Sequence, residues 1–339
     1  MARVLRHALW PWWALQLATG AKSFIDNPLI GSRRLNQAGL HVARLRLAHA
    51  MAWSRRRRLA RLIDPADRAA FDRDGFVARS DFLPPEAFAR LRDQIAAYRG
   101  PAREMVQGDA VTRRIALDPE ALAAMPEARA FLDNSAFRGL VRYVGSFDSQ
   151  PLCYIQTILA RRFPGQRDPQ LNLHADTFHP TIKAWFFLED VALDEGPFTY
   201  VPGSHRLTPE RIAWEHRKSL DARHAERLTA RGSFRIEEEE LASLGLPAPR
   251  RLAVPANTLV VADTFGFHAR GEAAKASTRV EIWAYGRRNP YLPWAGFDLM
   301  SMRGITERRI GWRWRLRDRY AAWIGQPWQQ AGNKTAFEE

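Results

Sequence analysis

A mainly β fold with flanking helices, built as a barrel or a two-sheet jelly roll, is predicted by three features of this 339-residue sequence. The first is a series of short runs from about residue 150 onward: "PLCYIQTILARR", "KAWFFLEDV", "FTYVPGSH", "NTLVVADTF" and "TRVEIWAYGRR". Each is rich in β-branched and aromatic residues, and Gly, Pro, Asp and Asn separate them, the pattern of strands with turn punctuation. The second is a pair of capped helical patterns ahead of those runs. The third is a polar helical stretch, 206–250, set among them.

The elements follow in order. "LHVARLRLAHAM" spaces Leu40, Leu47 and Met51 for one helix face, with Arg44 between them. "DPADRAAFDRDGF" reads as a helix capped by Asp64, with Pro65 in its first turn and Gly75 at its end. "FVARSDFL" is a short strand and loop, and "PPEAFARLRDQIAAYRG" is a second helix running from its prolines to Gly100. The acidic "EEEE" at 237–240 reads as a solvated helix face. The "PGSH" at 202–205 reads as a structural turn, with His205 packing or capping it.

The formal charge is +14, and it sits at the ends. Residues 1–62 hold twelve Arg and Lys against Asp26 alone, and 299–339 hold eight basic against four acidic side chains. Three segments are therefore expected: a basic, Trp-rich extension (1–62), a β body (63–298) and a basic, Trp-rich tail (299–339). Arg interleaved with Trp suits an anionic lipid surface. Trp10, Trp12, Trp13 and Trp53 lie in the first segment; Trp312, Trp314, Trp323 and Trp328 lie in the last. The apolar "ALWPWWALQLATGA", behind Arg3 and Arg6, has 14 residues and contains Pro11, too short to span a bilayer. It could mimic a cleaved secretory signal, but no clean small-x-small site follows; the two favoured readings of 1–62 are a peripheral anchor on an anionic membrane, or an arm packed on the body. The expected location is the cytoplasm, with peripheral contact on the inner membrane face under the first reading. "SRRRRLAR" comes with no nucleic-acid-binding motif, so no nucleic-acid partner is expected. The single cysteine, Cys153, excludes an intrachain disulfide and any multi-cysteine zinc site; in its apolar run it reads as a small buried hydrophobe.

"LNLHADTFHP" carries the chemistry. His174 and Asp176 are two residues apart, so on extended chain both side chains face the same way. An H-x-D alone occurs by chance. His268, just past the apolar run "NTLVVADTF", supplies a third ligand 92 residues after Asp176. Two histidines and one carboxylate, as a near pair and a remote third, make the facial triad of non-haem Fe(II) oxygenases. Three ligands leave a face of the octahedron open for a bidentate co-substrate and dioxygen. A structural zinc site would normally take a fourth protein ligand, often cysteine. Arg279, eleven residues beyond His268, is a fork able to grip a distal carboxylate such as that of 2-oxoglutarate, although a single arginine on a strand is more often a surface cation. If Arg279 faces inward, so do Glu281 and Trp283, and Glu281 then needs a partner, with Arg287 and Arg288 as candidates. His179 is either a substrate contact or an ordinary loop histidine.

"HADTFHPTIKAWFFLEDVALDEGPFTYVPGSH", followed by His268 and Arg279, resembles the phytanoyl-CoA dioxygenase family of Fe(II)/2-oxoglutarate-dependent oxygenases, and "AAFDRDGFVARSDFLPPEAFARL" is similar to that family's opening. The resemblance spans roughly residues 64–288. It implies a double-stranded β-helix, with His174, Asp176 and His268 on iron and Arg279 on the far carboxylate of 2-oxoglutarate. Gln156 and Trp185 match positions that line the co-substrate pocket. The family's small hydroxyl residue two places after the distal histidine is Arg270 here, with Thr278 or Tyr285 as substitutes. The function so implied is a dioxygenase hydroxylating an unactivated C–H bond of a lipid-like or other small organic substrate. Related centres also desaturate or form rings. Asp176 fills the position that a halide takes in halogenating relatives. The alternatives are a metal-binding scaffold without turnover, or an oxygenase of soluble metabolites.

Overall fold

The computed structural model describes residues 9–163, 165, 167–302 and 304–338; Arg3 and Arg6 lie outside these. Among the described residues, eleven strands form two antiparallel sheets. The larger takes the order β1 (Phe76–Arg79), β8 (Thr258–Asp263), β5 (Ile182–Phe187), β10 (Ser277–Gly286), β4 (Leu152–Ala160), β3 (Ala110–Ala116), β2 (Gly100–Gln107) and β11 (Gln329–Lys334). The smaller has β7 (Arg250–Leu252), β6 (Phe198–Tyr200) and β9 (His268–Arg270). The two-residue period of the strands sorts the large sheet's side chains. Ile155, Phe186, Val261 and Ile282 pack outward on a helical layer that includes Leu91, Phe131 and Leu140. Tyr154, Trp185, Val260 and Trp283 point the other way and pack with Phe198, Tyr200 and Leu252 of the small sheet. The result is a jelly-roll core with helices on one flank. Burial on both faces explains the apolar runs Ala184–Phe187 in β5 and Leu259–Ala262 in β8.

The helix over Pro65–Asp74 is built as its sequence dictates. The Asp64 carboxylate accepts from Ala66 N at 2.8 Å, and Gly75 closes the helix at φ +86°. A Cβ at Gly75 would sit 2.5 Å from His205 Nδ1, so glycine there also admits the buried "PGSH" turn. The helix Pro85–Ala97 ends at Tyr98, and Gly100 starts β2 instead of capping the helix. The hairpin β2–β3 carries the adjacent pairs Arg103–Glu104 and Arg113–Arg114 at its centre, which interrupt any apolar signature that would mark it. Glu237 and Glu240 form a capping box, and Glu240 also accepts from Trp214 Nε1 at 3.0 Å, so the acidic run is not merely solvated.

Neither terminal segment stands apart from the 63–298 body. The helix Leu40–Leu59 buries His41, Arg44, Leu45, Ala48, His49, Arg55 and Arg56, while Leu47 faces solvent. This reverses the face expected from Leu40, Leu47 and Met51. The arginines are inside because the body offers partners: Arg55 donates to Ser146 O and Pro290 O, and Arg56 Nη2 lies 2.8 Å from Asp263 Oδ2. At the other end, β11 extends the sheet beyond β2, and Ala336 O accepts from Thr157 Oγ1 at 2.6 Å. Among the described residues no helix is long and apolar enough to cross a membrane.

Burying histidines makes stability depend on pH. His49 and His205 have no hydrogen-bond partner at either ring nitrogen. Burial, aided by Arg56, pushes His49 down to about 3 and His205 well below the usual range. Between about pH 6.5 and 3 the unfolded chain therefore binds protons that the folded chain does not, and stability falls as pH falls. Each such histidine contributes a slope of about 1.4 kcal/mol per pH unit. We expect urea midpoints to drop steeply below pH 6.5, and a His49→Gln variant that folds to show a shallower fall; an unchanged slope would dissociate His49 from the effect.

Candidate metal centre

His174, Asp176 and His268 converge although the chain around the first two is irregular. His174 is a single β-bridge residue between Arg235 and His268. His174 N donates to His268 O and His268 N donates to His174 O, both at 3.0 Å, which sets the two imidazoles side by side with ring centroids 4.5 Å apart. Asp176 N donates to Thr264 O at 2.9 Å, fixing the carboxylate to the same β8–β9 loop that delivers His268. The three ligand atoms lie within 4.8 Å of one another.

The hydrogen bonds behind the ring atoms decide which nitrogen is free. His174 Nδ1 is 2.8 Å from Asn172 O, and His268 Nδ1 is 2.9 Å from Gly266 O. A carbonyl only accepts, so both Nδ1 atoms carry the proton and both Nε2 lone pairs are exposed inward. His268 Nε2 is buried with no hydrogen-bond partner, 3.7 Å from Asp176 Oδ1, and His174 Nε2 is 3.8 Å from the same oxygen. A buried lone pair left without a donor is what a metal ion would satisfy, and the donor set suits one. Protonation states agree. Burial holds His174 well below the usual range and pushes His268 down to about 4. Burial alone would raise the Asp176 carboxyl, but Lys183 and the two imidazoles override it and hold it well below the ordinary value. Neutral imidazoles beside a carboxylate are the forms that bind metal.

The triad opens into a cavity of about 430 Å³ also lined by Gln156, Trp185 and Arg279. The register of the large sheet organises its floor. Arg114 on β3 is opposite Gln156 on β4, and Gln156 is opposite Glu281 on β10. Arg114 Nε donates to Gln156 Oε1 at 2.8 Å, Gln156 Nε2 donates to Glu281 Oε1 at 2.6 Å, and Arg279 Nε donates to Glu281 Oε2 at 3.0 Å. The partners of Glu281 are thus Arg279 and Gln156, not Arg287 or Arg288. Arg288 faces Asp298 instead, and Arg287 donates to Gly20 O. Arg279 Nη1 donates to Gly196 O. Arg270 lines the cavity too, but Asp168 neutralises it at 2.7 Å. Tyr285 lines the cavity as well. His179 is buried and donates to Pro180 O, and it does not border the cavity.

Several cavity residues had no mark in the sequence. Lys183 Nζ is 2.7 Å from Asp176 Oδ2, holding that oxygen while Oδ1 faces the histidines. Alternation along β5 would have turned Lys183 inward together with Trp185. Lys22, from the N-terminal segment, donates to the Asp176 carbonyl; burial and the cations around it push its amine down to about 8. Arg114 lies 3.8 Å over the Trp283 ring and 4.4 Å over Trp328.

No curated protein matches the chain in sequence. Among solved structures it is similar to the non-haem α-ketoglutarate-dependent epimerase SnoN from nogalamycin biosynthesis, with TM-score 0.45, 19% identity, and 66% of this chain and 83% of that chain covered. It is similar also to HygX from Streptomyces hygroscopicus with nickel, 2-oxoglutarate and hygromycin B bound, with TM-score 0.40, 16% identity, and 71% and 93% covered. A third is the carbocyclase SnoK from nogalamycin biosynthesis, with TM-score 0.40, 19% identity, and 68% and 87% covered. The profile of one protein family matches from the helix Pro65–Asp74 through the H-x-D segment, stopping short of the loop that brings His268 back to it. Over residues 71–237 this chain carries a domain of the phytanoyl-CoA dioxygenase (PhyH) family.

Proposed function

We propose that the protein is an Fe(II)/2-oxoglutarate-dependent dioxygenase that hydroxylates an unactivated C–H bond of a lipid-like or other small organic substrate. The observation that carries this reading is the buried, unpartnered His268 Nε2 facing Asp176 and His174 at the wall of a cavity. His174, Asp176 and His268 would hold the iron. Bound there, iron with 2-oxoglutarate and dioxygen supplies oxidation of a C–H bond, with 2-oxoglutarate converted to succinate and carbon dioxide. SnoN has been solved with Fe3+, α-ketoglutarate and nogalamycin RO, and HygX with nickel and 2-oxoglutarate.

The chain's own residues have separable tasks. The Nδ1 bonds to Asn172 O and Gly266 O hold the imidazoles in one tautomer and one orientation. Lys183 holds the Asp176 carboxylate so that one oxygen faces the metal position. Arg279 is the proposed grip for the far carboxylate of 2-oxoglutarate: Nε and Nη1 are held by Glu281 and Gly196 O, and Nη2 makes neither contact. Trp185, packed on Phe198 at 4.2 Å between centroids, and Gln156 wall the co-substrate. Fe(II)-dependent formation of succinate from 2-oxoglutarate by the purified protein tests the reading. Metal binding with no succinate under any substrate mixture would favour a scaffold.

Arg279→Ala is expected to raise the 2-oxoglutarate concentration for half-maximal turnover at least tenfold, about 1.4 kcal/mol of lost affinity. Because that change also strands Glu281, Arg279→Ala combined with Glu281→Gln separates affinity from folding. Unchanged 2-oxoglutarate dependence in the folded double variant would remove Arg279 from the assignment.

A further inference from the structure

We propose that the face formed by residues 294–302 and 304–324 docks on an anionic lipid bilayer and turns the mouth of the metal cavity toward it. The helix Arg309–Arg319 has two unlike sides. Its inner side is pinned to the body: Ile310 is buried, Trp314 packs on Tyr154, and Asp318 pairs with Arg103. Arg313, Trp314 and Arg317 of this same helix line the cavity. Its outer side carries Trp312 and Leu316, four residues apart and so on one stripe, and the short helix after it, Ala321–Ile324, carries Trp323. Leu316 is 56% exposed and Trp323 is 89% exposed. The preceding loop adds Phe297, 94% exposed, and Leu299, 75% exposed. Single exposed apolar side chains are common, but several grouped on one short stretch of chain mark an interaction surface.

Charge selects the partner. Asp298, Glu307 and Asp318 are the acids of 294–324, and each faces an arginine: Arg288, Arg129 and Arg103. Arg313, Arg315, Arg317 and Arg319 make no ion pair among the described residues. Exposed Arg315 and Arg319 flank the Trp–Leu stripe. Aromatic and aliphatic side chains that protrude, with uncompensated arginines beside them, match the headgroup boundary of an acidic bilayer. The helix Trp10–Leu17 leaves Trp10 and Trp12 exposed, and its C-terminal end is tied to the loop that precedes this face, where Asn289 Nδ2 donates to Ala18 O at 3.0 Å. The bilayer contact expected of 1–62 is thereby assigned chiefly to the C-terminal face. The inference does not depend on the chemistry in the cavity.

The test is co-sedimentation of the full chain with vesicles of phosphatidylcholine alone or mixed with phosphatidylglycerol. The parent is expected to bind the mixed vesicles only and to be released by salt. Each Arg→Gln change should weaken binding about fivefold, the factor given by about 1 kcal/mol per basic residue near an anionic surface. Arg315→Gln with Arg319→Gln should then lose more than tenfold, and Leu316→Ser with Trp323→Ser should lose binding, while melting temperature and iron content stay at the parent's values. Trp10→Ser with Trp12→Ser should change binding much less. Three results would overturn the proposal: no binding of the parent to mixed vesicles, loss confined to the Trp10/Trp12 variant, or a concentration-dependent dimer abolished by Leu316→Ser with Trp323→Ser while vesicles are ignored.

Discussion

Asp176→Asn is expected to lower iron-dependent succinate formation more than about 100-fold while the protein stays folded. Loss of a neighbouring group that only orients a ligand already costs about 10–100-fold, and Asp176 is proposed as a ligand itself. The asparagine is the informative replacement. Asp176→Ala would also leave Lys183 beside two buried imidazoles without the carboxylate that faces it, so lost activity there could follow from lost structure. Asparagine keeps the shape and removes the charge: its amide oxygen can accept from Lys183 while its NH2 faces the imidazole lone pairs. Bound iron should fall in parallel with succinate, and the near-ultraviolet circular dichroism should not change. Turnover near that of the parent, with iron supplied close to stoichiometric amounts, would end the assignment of the triad. His174→Ala and His268→Ala test the other two ligands, and each should abolish turnover.

How much of this centre was legible depended on whether a residue's partner lay in its own pattern. His174, Asp176, His268 and Arg279 were visible because their types and spacing have a joint meaning, and alternation along one strand turned Glu281 inward. The partner of Glu281 was misjudged for a physical reason. Alternation ruled out a neighbour on the other face but did not say that Arg279, two residues back, would fold onto it, nor that Gln156 across the register would complete the pair. Lys22 and Arg114 reach the cavity from segments whose local sequence is bland; only the assembled sheet and the N-terminal arm put them there. The main strands were legible because burial on both faces makes them largely apolar. The hairpin β2–β3 and strand β11 were not, since Arg103, Glu104, Arg113 and Arg114 interrupt the first and the second is polar along most of its length. The first 62 residues misled through composition. Twelve basic side chains suggested a solvated or lipid-facing arm, yet Arg55 and Arg56 are buried on carbonyls and a carboxylate of the body, and Arg44 is buried on carbonyls of the arm itself.

That burial gives the N-terminal arm a measurable weight. Asp263 Oδ2 accepts from Arg56 at 2.8 Å, and its Oδ1 accepts from Thr181 N at 3.1 Å and Phe265 N at 3.0 Å. Burial raises the Asp263 carboxyl in spite of Arg56, so desolvation offsets much of what the pair's attraction contributes. Breaking the pair is a different matter. Arg56→Leu would leave a fully buried carboxylate with its charge uncompensated, and such losses cost about 3–5 kcal/mol, a large share of the roughly 5–15 kcal/mol that holds a protein folded. Asp263 sits at the end of β8, immediately before the loop that holds Asp176 through Thr264 O and presents His268. Arg56→Leu should therefore lower the urea midpoint strongly and weaken iron binding with it. Adding Asp263→Asn removes the stranded charge and keeps an oxygen for Thr181 N and Phe265 N, so the double variant should recover part of the stability lost by the single one. Deleting residues 1–62 removes Arg55, Arg56 and the whole buried face of their helix, and should yield an insoluble body. A deletion that is soluble, cooperative in urea and as stable as the parent would show that the arm is dispensable, and additive losses in the double variant would show that Arg56 and Asp263 do not act as a pair.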